Sequence, residues 1–104
     1  MSYRASATDA NHGEIQAALR RIPGVAVRDV HHHRGLGCDL LVTFRGRDTW
    51  FVEVKDGAKP PSARKLTDAE QSLERQVGGR FVVVESKAAA LSWALGALSA
   101  QVTP

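Results

Sequence analysis

Residues 37–55 read GCDLLVTFRGRDTWFVEVK and contain two apolar, β-prone segments on either side of a glycine-containing turn. Each segment carries charge where the apolar pattern predicts a buried side chain: Asp39 in the first, and Glu53 and Lys55 in the second. Charged groups on a half-buried strand are costly unless they are paired or bind a metal ion. Glu53 and Lys55 lie two positions apart, so a strand places both on one face of its sheet.

The turn between the two segments determines whether Asp39 shares that face. A three-residue loop centred on Gly46 places Asp39 opposite Glu53, and residues opposite each other on paired strands point to the same side. A two-residue loop would place Asp39 opposite Val54 and send the carboxylates to different faces. A shared site therefore requires a three-residue loop or a bulge in this hairpin.

Two carboxylates and a lysine on one face suit a Mg²⁺-dependent enzyme that cleaves phosphodiester bonds. Asp39 and Glu53 offer hard oxygen ligands to Mg²⁺, for which Mn²⁺ is a substitute, and the backbone carbonyl of Val54 offers a third. Lys55 would position or deprotonate the attacking water and stabilise the transition state. Glu14, at the edge of the first helix's buried stripe, would bind the metal directly or through water. Taken singly, Asp39 and Lys55 are better explained structurally, as the start of one strand and the point where the other emerges into solvent; the site interpretation depends on the residues taken together.

The rest of the chain predicts three helices. The first runs from a cap at Asp9 or Asn11 to about residue 21. The second follows a cap at Thr67, with Glu70 at the capping-box position, and runs to about residue 77. The third covers about residues 88–100 after a cap at Ser86.

Four strands are predicted between these helices, at residues 25–30, 39–44, 49–55 and 81–84. The last is a continuous apolar run, which is typical of a strand buried on both faces. The element order is αβββαβα, and a hairpin followed by a helix and a strand predicts a mixed sheet flanked by helices. We expect one α/β (α+β) domain over residues 1–104, with residues 1–8 frayed.

Composition excludes several classes of protein. The 104 residues include one cysteine, so an internal disulfide is impossible and a reducing cytoplasm fits best. No apolar run approaches the roughly 20 residues of a membrane helix, and the first ten residues lack the apolar core of a signal peptide. We therefore expect an intracellular protein with no membrane partner. The net charge of +3 is compatible with nucleic acid without requiring it.

Asp39 followed by Glu53-Val54-Lys55, with 13 residues between Asp39 and Glu53, resembles the motif of the PD-(D/E)XK nuclease superfamily. The tract EVKDG at 53–57, followed by PPSARKLT at 60–67, is more narrowly similar to the small VRR-NUC-like nucleases of viruses and prophages, which are related to Holliday-junction resolvases. The similarity covers about residues 9 to 87. Where the family has a proline before its aspartate, this chain has Cys38.

This resemblance implies a restriction-endonuclease-like fold in a protein that is usually dimeric. It also implies the activity of a Mg²⁺-dependent endonuclease on structured or branched DNA. The family's acidic residues and lysine fall on Glu14, Asp39, Glu53 and Lys55. Its glutamine or glutamate in the following helix falls on Glu70 or the adjacent Gln71. A non-catalytic nucleic-acid-binding module that keeps the nuclease fold is the alternative, and a sequence-specific restriction-type nuclease is a third reading.

Basic residues in the loops are candidates for phosphate contacts. We expect Lys59, Arg64 and Lys65, together with Arg34, to border the site and bind the DNA backbone. The simpler alternative is a normal basic surface, because 14 lysines and arginines against 11 acidic residues is not a large excess. Few aromatic residues are interleaved with these positions, so base stacking on a single strand is not indicated.

Histidines at 31–33 and the cysteine at 38 invite other interpretations. Consecutive histidines alternate direction on an extended chain, so all three do not easily share one ion, and no zinc-like spacing supports them. We therefore favour a solvated loop near the DNA path over a metal site. Cys38 lacks a histidine and acid arrangement that would activate it, so we expect a buried, inert thiol.

The last helix is apolar on almost all sides. Such a helix is buried or packs on a partner. One side would cover the sheet, and the other could bury Trp93 or Leu98 in a twofold homodimer. A core helix with an alanine-rich exposed side is an equally good interpretation.

Overall fold

A computed structural model describes residues 9–33 and 35–102 of the chain, with side chains up to residue 100. The helices are α1 (His12–Arg20), α2 (Asp68–Val77) and α3 (Lys87–Val102), and the strands are β1 (Val25–Asp29), β2 (Leu40–Phe44), β3 (Asp48–Val54) and β4 (Phe81–Val84). The predicted order αβββαβα is confirmed. The predicted frayed segment, residues 1–8, and the side chain of Arg34 lie outside the described residues.

The four strands form one mixed sheet in the order β1-β2-β3-β4. β1, β2 and β3 are antiparallel neighbours, whereas β4 returns through α2 to lie parallel to β3. Phe44 pairs with Asp48 and Leu40 with Val52, so residues 45–47 form the predicted three-residue loop. Gly46 at its centre has a φ of 68°, in the region that favours glycine. Continued by one residue, this register places Asp39 opposite Glu53.

Side chains alternate between the two faces of the sheet. On one face, the buried residues of β2 and β3 pack with those of α1 and α3 in the main core; this cluster includes Ile15, Leu19, Val42, Val54 and Ala94. On the other face, Leu73 of α2 packs with Val30 and Cys38 in a smaller core. Glu53 and Lys55 alternate with the main-core residues Val52 and Val54, so their side chains lie on the α2 side.

Strand β4 is less buried than we predicted. We expected it to be buried on both faces, but only Val84 is buried, and Phe81, Val82 and Val83 are half-buried. The reason is topological, because β4 is an edge strand of the sheet and its apolar run is only partly covered by α2 and α3. An apolar run alone does not distinguish a central strand from a partly covered edge.

In helix α3, Trp93 and Leu98 lie on a different side from the one we expected. Trp93 makes edge-to-face contacts with Phe44 at 5.3 Å and Trp50 at 5.7 Å between ring centroids, and Leu98 is 7% exposed. Both residues therefore belong to the packing of their own chain, and not to the outer side where we placed them. Leu95, at 53% exposure, is the large apolar residue that α3 presents to solvent. No helix within the described ranges is long and apolar enough to cross a membrane.

Candidate active site

The open end of the β2-β3 hairpin carries the predicted charged residues. Asp39 directly precedes β2, and Glu53 and Lys55 lie at the end of β3. The carboxylate oxygen Oδ2 of Asp39 accepts a hydrogen bond of 2.8 Å from the backbone N–H of Val54, which fixes the aspartate against the neighbouring strand. Glu53 is 5% exposed and Lys55 is 8% exposed. The hairpin thus brings three charges together in a place mostly screened from water.

Helix α2 adds a third carboxylate to this end of the sheet. Glu70 accepts a hydrogen bond of 2.9 Å from Nζ of Lys55, whose ammonium also lies 3.4 Å from Glu53. The same oxygen of Glu70 accepts from the backbone N–H of Thr67 at 2.8 Å, and the Thr67 hydroxyl accepts from the backbone N–H of Glu70. The predicted capping box is confirmed. Glu70 therefore caps its helix and orients the lysine at the same time.

A glycine next to the site determines how closely α2 approaches. Gly37 has a φ of 98°, and a Cβ there would lie 2.5 Å from the carbonyl oxygen of Ala69 and 2.9 Å from Leu73. A side chain at this position would push α2 away from the strands. Since Glu70 follows Ala69, the contact between Glu70 and Lys55 depends on this close approach.

These residues line a cleft of about 290 Å³. Its walls include Asp39, Glu53, Lys55 and Glu70, with Thr67, Ala69 and the segment around Cys38 on the α2 side, and Asp9 and His31 on the other side. We refer to Asp39, Glu53 and Glu70 as the carboxylate cluster. The carboxylate cluster sets three acidic groups against the single ammonium of Lys55, so this part of the cleft has an excess of negative charge when all of them are ionised.

This excess of charge appears in the pKa values of the two strand carboxyls. The pKa of Glu53 is raised from 4.5 to about 10, first by burial and then by the charges of Asp39 and Glu70. Burial also raises the pKa of Asp39, although the hydrogen bond from Val54 opposes the effect. Without a cation, the site therefore retains a proton at neutral pH. A divalent ion would take the place of that proton and remove the repulsion.

The other two charges are held in their ionised forms. Burial by itself would lower the pKa of Lys55, but the hydrogen bond to Glu70 and the charges of Glu53 and Glu70 outweigh it and raise the pKa. Burial would likewise raise the pKa of Glu70, but the bonds from Thr67 and Lys55 hold it below its ordinary value. Lys55 and Glu70 thus form an ion pair beside the two carboxyls that remain available to a cation.

The donor set of the cleft fits Mg²⁺. Carboxylate oxygens on rigid strand ends are hard ligands that leave positions for water and phosphate oxygens. Asp39 and Glu53 are the residues that would hold the ion, and Lys55, as a cation, is not a ligand.

Comparison with known proteins identifies no relative. No protein-family model, curated protein or solved structure matches the chain. The interpretation of the cleft therefore depends on its own geometry and on the motif described above.

Two of the candidate site residues lie elsewhere. Glu14 is exposed and lines a different cleft, with Asn11 and Asp56. Its place in the helix explains this, because α1 buries His12, Ile15 and Leu19 and turns Glu14 outward. The side chain of Gln71 is exposed and donates to the backbone carbonyl of Leu66 at 3.0 Å, whereas its neighbour Glu70 lines the cleft.

Two of the basic residues expected to contact DNA are paired with carboxylates of the same chain. Lys59 is paired with Asp9 at 2.9 Å, and Arg64 is paired with Glu85 at 3.0 Å. Lys65 is exposed. A phosphate would have to compete with a carboxylate for Lys59 and Arg64, so Lys65 is the residue best placed to contact DNA without losing an internal ion pair.

Some residues near the cleft were not recognised from the sequence. Asn11 is the N-cap residue of α1, one of the two predicted, but its side chain makes no capping hydrogen bond; its amide instead donates to the backbone carbonyls of Lys55 at 3.1 Å and Glu85 at 3.2 Å, which ties α1 to the ends of β3 and β4. His12 is buried and bonds to Asp29. A polar residue at a position of the buried helical stripe was the available signal for His12.

The surroundings of Cys38 do not activate its thiol. Burial raises its pKa to about 12, and the charges of Glu53 and Asp39 act in the same direction. A thiol in this environment remains protonated and unreactive. The expectation of an inert buried thiol is consistent with its 6% exposure.

Proposed function

We propose that this protein is a Mg²⁺-dependent endodeoxyribonuclease that hydrolyses phosphodiester bonds in DNA. The supporting observation is the convergence of Asp39, Glu53 and Lys55 at the open end of the hairpin, where burial and mutual repulsion leave two carboxyls in need of a cation. A purely structural ion-pair network would balance its charges, whereas this one has three carboxylates for one ammonium.

In this proposal each residue has a separate role. Bound Mg²⁺ would polarise the phosphate and lower the pKa of a coordinated water. Asp39 and Glu53 hold the ion, and the carbonyl of Val54 is a candidate third ligand. Lys55 orients the attacking water and stabilises the negative charge of the transition state. Glu70 positions Lys55, because its carboxylate receives the ammonium at 2.9 Å.

The motif extends the proposal to a restriction-endonuclease-like fold and to a substrate class. The four-stranded mixed sheet and three helices support this extension only at the level of a mixed α/β class. Because the motif resembles that of junction-resolving nucleases, we favour recognition of DNA structure, with branched DNA as the first candidate, and a homodimer that places two sites about a twofold axis.

Cleavage of plasmid and of synthetic junction, flap and nicked duplexes tests the proposal. We expect nicking with Mg²⁺ or Mn²⁺, none with chelator, and none with Asp39→Asn, which keeps the size of the side chain. Glu14→Gln is the matched control, because it removes an exposed carboxylate outside the cleft and should leave cleavage intact. DNA binding without cleavage by a folded wild-type protein would instead support the non-catalytic binding module.

A further inference from the structure

A second cluster of potential metal ligands lies beside the cleft. Nε2 of His12 lies 3.1 Å from Oδ2 of Asp29, and Nδ1 of His31 lies 2.5 Å from Oδ1 of the same carboxylate. One donor atom from each residue falls within 4.8 Å of the others. We refer to His12, Asp29 and His31 as the imidazole cluster. Its members come from α1, the end of β1 and the turn that follows β1, so tertiary folding is needed to assemble it.

One pair of these donors has a spacing close to that of a metal site, whereas His31 and Asp29 lie closer, at 2.5 Å. Nitrogen and oxygen ligands lie about 2.0–2.2 Å from Zn²⁺, which puts tetrahedral neighbours about 3.3 Å apart. The separation of 3.1 Å between His12 and Asp29 is near this value. Burial by itself would raise the pKa of Asp29, but hydrogen bonds from the side chain and backbone of His31 and from the side chain of His12 outweigh it and lower the pKa to about 2. The carboxylate is thus ionised, and two imidazole nitrogens point at it.

We propose that His12, Asp29 and His31 bind a transition-metal ion of the Zn²⁺ class. Nε2 of His12, one oxygen of Asp29 and Nδ1 of His31 would be its ligands, with the ion in the place of the hydrogen bonds that now join them. Imidazole nitrogen favours Zn²⁺ and its neighbours in the transition series, whereas the carboxylate cluster offers oxygen alone and favours Mg²⁺. The two sites would therefore select different ions.

The remaining coordination position of this site would be open. His12 is almost fully buried, but the side chains of Asp29 and His31 are 25% and 34% exposed. His31 also lines the cleft that contains Asp39 and Glu53. A three-ligand site with a water in its fourth position could receive an oxygen of a ligand in that cleft. This distinguishes it from a closed structural site with four protein ligands.

The neighbouring histidines provide matched controls. His32 and His33 belong to the same tract and are exposed; their tilted rings lie 4.6 Å apart between centroids, and the His32 ring also makes an edge contact with His31 at 5.5 Å, so His33 is the cleaner control. Neither is in the imidazole cluster. If Zn²⁺ were captured by a flexible run of surface histidines, all three positions would contribute to its affinity. If the imidazole cluster binds it, His31 alone among the three should matter.

Calorimetric titration with Zn²⁺ tests the proposal. The protein should carry no histidine tag and should contain Asp39→Asn and Glu53→Gln, so that the carboxylate cluster does not contribute. We expect one ion per chain, undiminished in excess Mg²⁺. His31→Ala should weaken binding by more than about tenfold, because loss of even an outer-shell partner costs about 10–100-fold. His32→Ala and His33→Ala should bind as the parent does.

Two outcomes would overturn the proposal: no Zn²⁺ binding by the parent, or equal loss of affinity in all three histidine variants. Asp29→Asn should also abolish binding, but it removes hydrogen bonds that support the fold. The deciding measurement is therefore the Zn²⁺ affinity of His31→Ala compared with that of His33→Ala. Circular dichroism checks that His31→Ala is folded. Because no DNA is involved, failure of this test would leave the proposed nuclease activity unaffected, and failure to cleave DNA would leave this site unaffected.

Discussion

Replacing Glu53 by glutamine tests the electrostatics of the carboxylate cluster without a substrate. Glu53 is 5% exposed, and burial, followed by the charges of Asp39 and Glu70, raises its pKa from 4.5 to about 10. In the metal-free folded protein at neutral pH, its carboxyl is therefore protonated. In the unfolded chain the same carboxyl is exposed and ionised, because its pKa returns to the ordinary value.

The sign of the pH dependence follows from this difference. Between pH 4.5 and about pH 10, the folded chain binds more protons at Glu53 than the unfolded chain does. The stabilising contribution of the bound proton is fully present below the unfolded pKa and is lost as pH rises through the folded pKa. Each pH unit within that window lowers the free energy of unfolding by up to about 1.4 kcal/mol.

Glutamine mimics the protonated carboxyl and does not titrate. The quantity to follow is the free energy of unfolding of Glu53→Gln minus that of wild type. We expect this difference to increase by up to about 3 kcal/mol between about pH 5.5 and about pH 7.5. Coupling to Asp39 and Lys55 will share part of this change. Urea unfolding with chelator measures it, and Glu14→Gln, at an exposed site, should stay within about 0.5 kcal/mol of wild type throughout.

A Glu53→Gln variant whose stability runs parallel to wild type over this pH range would refute the reasoning. It would mean that Glu53 is ionised in the metal-free protein and needs no cation. The same reasoning predicts that Mn²⁺ binding to wild type releases a proton, so the measured heat should vary with the ionisation enthalpy of the buffer. Glu53→Gln should bind Mn²⁺ weakly, if at all.

Four further substitutions probe neighbouring parts of the proposal. Lys55→Ala should keep Mn²⁺ binding in calorimetry but lose most cleavage, because lysine acts on the transition state and is not a ligand; lost binding would contradict that role. Lys65→Ala should reduce the slope of log affinity for duplex DNA against log salt by about 0.9, measured with Ca²⁺ to prevent cutting, and an unchanged slope would place DNA elsewhere. If the outer side of α3 forms a dimer interface, Leu95→Lys should give folded monomers in sedimentation. Trp93→Glu should instead unfold the chain. A wild-type monomer at tens of micromolar with full activity would count against the dimer.

Local patterns predicted much of this fold because the relevant constraints act over short distances along the chain. The alternation of apolar residues gave the positions of β2 and β3, and of the two loop lengths open to the turn, only the three-residue loop centred on Gly46 lets Asp39 and Glu53 share a face. The capping box at Thr67 and Glu70 was likewise readable, since it depends on residues three apart. These devices also place Asp39 opposite Glu53, so the central pair of the site was predictable.

The sequence by itself determined the helices, the hairpin and the carboxylates at its open end. Only the tertiary structure decided which other residues join them. Helical periodicity put Glu14 near the buried stripe, but docking of α1 through Ile15 and Leu19 turned it to a different cleft. The contact of Lys55 with Glu70 and that of His12 with Asp29 join residues 15 and 17 positions apart in the chain. Such contacts depend on how whole elements pack against each other, which no local period or turn specifies.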